Sequence, residues 1–159
     1  MNIKLLKLLD QNARLSTEDL AVMTGQTEAE IHEEISKMES EGLIRGYKTV
    51  VDWERIDSTA VSAIIELKVT PKAGLGFEEV AMKVSKYPQV EAVYLMSGGY
   101  DLAVLLHGKT MREVAVFVAQ KLATLEAVTS TATHFMLRKY KDHGVVFGAA
   151  EIDERGNVL

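Results

Sequence analysis

The spacing of apolar residues changes near residue 60 of this chain, and that change constrains the fold more than any other feature. Over residues 3–38 apolar side chains return every three or four positions; over 61–69 they return every second position, and strand-like runs then alternate with helical ones. A spacing of 3.6 puts residues on one face of a helix, and a spacing of two puts them on one face of a strand. The chain is therefore expected to be an α+β protein with a helical segment at residues 1–57, a strand-rich segment at 58–141 and a tail at 142–159.

The helical segment is punctuated three times. Ile3, Leu5, Leu6, Leu8 and Leu9 form a stripe running towards Asn12. Ser16 with Asp19 resembles a capping box with a shortened acid, and Leu20, Ala21 and Met23 continue until Gly25, where a left-handed residue is expected to end a short second helix. Thr27 with Glu30 is a full Thr-x-x-Glu capping box, and Ile31, Ile35 and Met38 then recur until Gly42. The β-prone run Leu43–Val51, broken by Gly46, predicts a small hairpin. Three helices and a hairpin make a winged helix-turn-helix.

In the second segment Val61, Ala63, Ile65, Leu67 and Val69 alternate with Ser62, Ile64, Glu66, Lys68 and Thr70, and Pro71 is expected to end the strand. A helix follows from Phe77 to Val84, ahead of Pro88. Val90–Ser97 and Tyr100–His107 are β-prone runs around Gly98-Gly99, a dipeptide that supplies the positive φ angles of a tight hairpin. A helix from Met111 to about Leu122 and a strand over Val128–Lys139 complete the order β-α-β-β-α-β, the ferredoxin-like split unit. Two helices cover one face of such a sheet. The other, assigned Ile64, Val93, Leu95 and Leu105, requires a second subunit or a second sheet.

Charge separates the segments again. Up to Asp57 seven basic residues face twelve acidic ones; from Ser58 the two are equal at eleven, so the formal charge of −5 lies wholly in the first segment. An acidic domain repels phosphate at long range, which argues against nucleic-acid binding. The absence of cysteine excludes disulfides, thiolate metal sites and a cysteine nucleophile. Apolar runs such as Val114–Ala119 fall far short of the ~20 residues that span a bilayer. With no basic-then-apolar leader, the expected location is the cytoplasm and no membrane partner is expected.

Four stretches carry a resemblance: Leu9-Asp10-Gln11-Asn12-Ala13-Arg14-Leu15-Ser16, Glu41-Gly42-Leu43-Ile44-Arg45-Gly46-Tyr47, Gly98-Gly99-Tyr100-Asp101-Leu102 and Thr131-Ala132-Thr133-His134-Phe135. From Ile3 to Lys141 the chain resembles the Lrp/AsnC family of bacterial and archaeal transcription regulators. The resemblance implies an operator-binding domain on double-stranded DNA, an effector domain that dimerises through its sheet, assembly to tetramers or octamers, and an amino acid bound between dimers. It implies no cofactor.

On the DNA side, the exposed N-terminal half of helix 3 supplies the candidates for base contact: Thr27, Glu28, Ala29, His32, Glu33 and Ser36, with Lys37, Arg45 and Lys48 on phosphates. The chain departs from the family here. Where relatives carry basic residues it has Glu33 and Glu34. Glu28 and Glu30 suit the positive end of the helix dipole; Glu33 and Glu34 do not, and read either as a solvated face or as the mark of a domain that kept its packing and lost its DNA. Both are sites at which arginine is expected to strengthen DNA binding.

On the effector side, Gly98, Gly99, Tyr100 and Asp101 form the candidate site. Exposed backbone N–H groups hold a carboxylate and Asp101 an α-amino group, with Met96, Ser97, Thr131 and Thr133 as second walls. The alternative is that Gly-Gly only turns the chain and that Asp101 caps its own backbone.

No catalytic or metal residues are assigned. His32-Glu33-Glu34-Ile35-Ser36 has Ser where a zinc helix requires its second His, and His107, His134 and His143 lie on separate elements. Gly74-Leu75-Gly76 lacks the Lys-Ser/Thr of a phosphate loop and reads as a connection. Siroheme decarboxylases resemble the same two-domain layout and use histidines; the Gly-Gly-Tyr-Asp turn favours a regulator.

Overall fold

The structure, a computed structural model, describes residues 2–70 and 76–147. Pro71 and the Gly74-Leu75 connection lie outside the described residues, as does the tail from residue 148. The chain divides between Thr49 and Val50 into two compact units.

The first unit holds α1 (Ile3–Gln11), α2 (Thr17–Thr24) and α3 (Glu28–Ser40). Asn2 caps α1 by accepting from the Leu5 amide at 3.1 Å. Both capping boxes form: the Ser16 hydroxyl accepts from Asp19 N–H and the Thr27 hydroxyl from Glu30 N–H, with each acid reaching back to the cap residue's amide. Gly25 ends α2 with φ 76°, a conformation that costs a side-chain-bearing residue about 1–2 kcal/mol. Leu5, Leu9, Leu20, Ala21, Ile31 and Met38 form the core, with Ile35 and Ile44 packed at its edge.

The hairpin expected over residues 43–51 is not there: that segment carries no strand. After Gly42, at φ 69°, the amides of Leu43 and Ile44 both donate to the Met38 carbonyl, closing α3. The backbone groups that begin a ladder are thus used in a helix cap, and an isolated two-stranded ribbon is marginal in water.

The second unit holds a short 3₁₀ turn at Trp53–Arg55, then β1 (Val61–Val69), α4 (Phe77–Val84), β2 (Val90–Leu95), β3 (Leu102–Gly108), α5 (Met111–Phe117) and β4 (Val128–Phe135). The sheet runs β2-β3-β1-β4 with every neighbouring pair antiparallel, the ferredoxin-like order. β1 shows why alternation is a reliable guide: Ala63, Ile65, Leu67 and Val69 are all buried, against Val80 and Val84 of α4 and Val114 and Phe117 of α5. The helical run after Phe117 continues as a π-helical turn, Val118–Leu122, which puts both Val118 and Leu122 into the core.

Three expectations are corrected in this unit. The last strand ends at Phe135, paired with Ala63 two residues short of the start of β1; Met136 N–H reaches Ser62 C=O and the chain leaves the sheet for a small hairpin, β5 (Lys141–Asp142) and β6 (Val145–Val146). Gly98 and Gly99 do not take positive φ, since four residues rather than two close this turn, with Met96 N–H donating to Asp101 C=O at 2.8 Å. Finally, Val93 and Leu95 do not share a face with Ile64 and Leu105. Val93 pairs with Val104 and Leu95 with Leu102, and since Val104 and Leu102 are buried on the helix side, Val93 and Leu95 take that side too, Val93 half-buried and Leu95 exposed at the strand's end; an irregularity between Val90 and Ala92 sets this register. The open face instead carries Ile64, Ala92, Tyr94, Ala103 and Leu105.

Candidate functional site

In the first unit, α2, the Gly25-Gln26-Thr27 turn and α3 form the helix-turn-helix. With Ile31 and Met38 inward, Glu28, Ala29, His32, Glu33, Ser36 and Lys37 all face solvent on α3. This exposed stripe contains every candidate base contact except Thr27, whose hydroxyl serves its capping box and donates to Glu30 Oε2 at 2.8 Å. Those bonds from the Thr27 amide and hydroxyl hold the Glu30 carboxyl below the usual carboxylate range.

Basic groups around α3 are few. Lys37 lies 4.0 Å from Glu41 on the next turn. Arg45 is exposed, with its guanidinium lying over Gly42, where an added Cβ would meet it at 3.3 Å. Lys48 is exposed as well. The Tyr47 hydroxyl donates to Glu39 Oε1 at 2.9 Å and fastens the segment after Gly46 to α3; partial burial and then the Glu39 carboxylate push its pKa up.

Glu34 departs from the reading of it as a twin of Glu33. Glu33 is exposed, whereas Glu34 is half-buried, its Oε1 accepting from the Gln26 side-chain amide at 3.0 Å. The other end of that amide accepts from the Asn2 side chain at 2.7 Å. Sequence reasoning missed Asn2 and Gln26 altogether. They lie 24 residues apart, and no local spacing announces their meeting; the one signal available was a polar residue at the centre of a helix-turn-helix turn.

In the second unit the effector candidates Met96, Ser97, Gly98, Gly99, Tyr100 and Asp101 form one turn at the β2–β3 end of the sheet. A Cβ added at Gly98 or Gly99 would meet nothing within 4 Å, so the backbone there is open to a ligand. Asp101 is tied into the sheet: its N–H donates to Leu67 C=O at 2.9 Å and its Oδ2 accepts from Val69 N–H at 2.8 Å. A carboxylate offers about four acceptor positions, so this bond leaves it able to meet an ammonium group. Thr131 and Thr133 are not brought to this turn. They pair with Leu67 and Ile65 on the far side of β1 and point to the helix face, two strand spacings or about 10 Å away.

Three of the four histidines pair separately with carboxylates, His107 with Glu91 at 3.4 Å, His134 with Glu66 at 3.2 Å and His143 with Asp142 at 2.8 Å. Among the described residues no group of three His, Cys, Asp or Glu is placed to hold a metal ion.

Residues 62–146 match the family described as the Lrp/AsnC ligand binding domain, and residues 2–45 match a winged helix-turn-helix DNA-binding domain. The chain is 46% identical over 153 residues to the uncharacterized HTH-type transcriptional regulator YugG of Bacillus subtilis, covering 96% of this chain and 92% of that protein. Two solved structures share the fold: a transcriptional regulator of Neisseria meningitidis in complex with L-Met (TM-score 0.72, 22% identity, 89% of this chain and 90% of that one), and the feast or famine regulatory protein of M. tuberculosis complexed with L-methionine (TM-score 0.71, 19% identity, 87% and 90%). These names are those of regulators, which sets aside the decarboxylase reading. The chain belongs to the Lrp/AsnC family of transcriptional regulators.

Proposed function

We propose that the protein is a sequence-specific DNA-binding regulator whose operator affinity responds to an amino acid. The observation that carries this reading is the exposed face of α3: it follows a capped helix-turn-helix turn and offers Glu28, Ala29, His32, Glu33 and Ser36 to base edges, with Lys37, Arg45 and Lys48 for phosphates. The effector is an α-amino acid at Met96–Asp101, its carboxylate on the open Gly98-Gly99 backbone and its ammonium on Asp101. The two neighbours that carry L-methionine support this choice of ligand class. Because Thr131 and Thr133 lie two strand spacings from the turn in one chain, their part as second walls requires them to come from another copy.

The copies associate through the open sheet face. Tyr94 is 58% exposed and Ile64 40%; Ala92 lies beside Tyr94 on β2, and Ala103 and Leu105 lie on β3 between the two strands, all on the same face. An apolar cluster of this kind, rimmed on the same face by Glu66 and His134, marks an interaction surface. The homodimer builds in turn to tetramers or octamers. No helix among the described residues is long and apolar enough to cross a membrane, and the regulator acts on operator DNA in the cytoplasm.

Selection of duplexes from a random pool by the full-length protein, with and without a mixture of the twenty amino acids, tests the reading. Enrichment of one motif, altered by the mixture, is the expected result. No enrichment in either arm overturns DNA reading and favours an oligomer that signals to another partner.

A further inference from the structure

We propose that Gln26 and Glu34 act as positioning residues that set the angle of α3 for DNA reading, an assignment that rests on the function proposed above. Gln26 sits at the centre of the helix-turn-helix turn and is bonded on both sides. Its Oε1 accepts from Asn2 Nδ2 at 2.7 Å, and its Nε2 donates to Glu34 Oε1 at 3.0 Å. Asn2 in turn caps α1. A single polar relay therefore ties the start of α1, the turn and the middle of α3.

The six buried residues of this unit hold α3 against α1 and α2, but apolar contact is non-directional and resists a small rotation weakly. A hydrogen bond to a charged acceptor is directional and stronger than a neutral one, and partial burial strengthens it further. Glu34 also bears a cost that points to this role. Its Oε2 is buried without a hydrogen-bond partner among the described residues, in a side chain that lines a cavity of ≈ 150 Å³ with Asn2, Lys37, Met38, Glu41 and Leu43. A half-buried carboxylate with one oxygen shielded and unpartnered is a poor source of stability; its one well-made bond is the one to the turn. The glutamate is thus explained without contact to DNA.

Charge and positioning predict opposite outcomes. Removing an anion beside a DNA-reading helix strengthens binding if only Coulomb forces matter. If the relay sets the angle, Glu34→Ala weakens specific binding although it removes a negative charge, and Glu34→Gln, which removes the same charge but keeps an oxygen acceptor for Gln26, does not.

The experiment measures full-length wild type, Gln26→Ala, Glu34→Ala, the double variant and Glu34→Gln against a duplex selected from a random pool and against a random-sequence duplex of equal length. Amide hydrogen exchange across α3 is followed in parallel. Gln26→Ala and Glu34→Ala are each expected to lower affinity for the selected duplex about tenfold, the double variant to lose no more than either alone, and Glu34→Gln to stay within about twofold of wild type. Affinity for the random duplex should not fall, and exchange in α3 should quicken in both alanine variants. Normal wild-type binding with a silent Gln26→Ala, a Glu34→Gln as impaired as Glu34→Ala, losses that add, or unchanged exchange overturns this assignment alone. A wild-type chain without sequence preference overturns the DNA reading and the assignment with it.

Discussion

The Val69 amide donates to Asp101 Oδ2 at 2.8 Å, so the carboxylate proposed to hold an effector's ammonium also closes the end of β1. Val69 is 5% exposed, and Asp101→Ala leaves its N–H unpaired in a nearly dry position. A loss of about 1–3 kcal/mol is expected, read as a lower thermal midpoint of the second unit. Asp101→Asn keeps an acceptor for Val69 and removes the anion. It should melt within a degree or two of wild type yet bind an amino acid at least about tenfold more weakly by calorimetry. Normal ligand affinity in Asp101→Asn refutes the ammonium contact and leaves Asp101 a purely structural cap.

The capping box at Thr27 carries its own acid signature. Thr27→Ala removes an oxygen acceptor for Glu30 N–H and should cost about 0.5–2 kcal/mol. Glu30 is held below its ordinary value of 4.5, first by the Thr27 amide and then by its hydroxyl. A carboxyl whose folded pKa is depressed stabilises the fold fully above its unfolded value and loses that contribution as pH falls through the folded one. The stability of the wild-type first unit should therefore drop more steeply below pH 4.5 than that of Glu30→Gln, and equal acid slopes in the two proteins count against the box.

These examples show which features are legible in a sequence. Capping boxes at Ser16 and Thr27, the left-handed Gly25 and the alternation of β1 are local: each depends on residues within four positions, and each forms as read. The face of Val93 and Leu95 is not local, because the irregularity between Val90 and Ala92 is set by pairing with β3. Nor is the inward turn of Glu34, whose meaning depends on Gln26, and through Gln26 on Asn2. The hairpin over residues 43–51 fails for a different reason. Its β propensity is real, but Leu43 and Ile44 donate instead to Met38 C=O. Of the candidate sites, the exposed stripe of α3 follows from helical period alone, whereas the distance from Thr131 to Asp101 follows from strand order, which period does not encode.

Self-association should respond to single charges on the open sheet face. In a two-fold dimer each residue of the patch is buried twice, and covering a large apolar side chain contributes about 1.5–3 kcal/mol. Ile64→Glu or Tyr94→Glu should weaken the dimer at least about a hundredfold, seen as a folded monomer by sedimentation at micromolar concentration. Val93→Ala, on the helix side, should lower thermal stability without changing the association constant. An unchanged dimer in both glutamate variants directs the search to another surface.

The acidity of α3 yields the last prediction. Glu33 is exposed on the same stripe as His32 and Ser36, while Glu34 is tied to Gln26, so the two glutamates answer to different substitutions. Glu33→Arg exchanges a repelling charge for an attracting one without touching Ile31, Ile35 or Met38. Each phosphate newly neutralised adds about −0.9 to the slope of log K against log salt. Binding should rise at low salt on selected and random duplexes alike, the slope should steepen by about one such increment, and the advantage should fade at high salt as screening grows. Glu34→Arg, which breaks the bond to the turn, should instead lose sequence preference while gaining general affinity. Gel-shift titrations over a salt series separate the two. If Glu33→Arg improves the selected duplex alone, residue 33 reads a base rather than a phosphate; if it changes neither duplex at any salt, α3 does not face DNA.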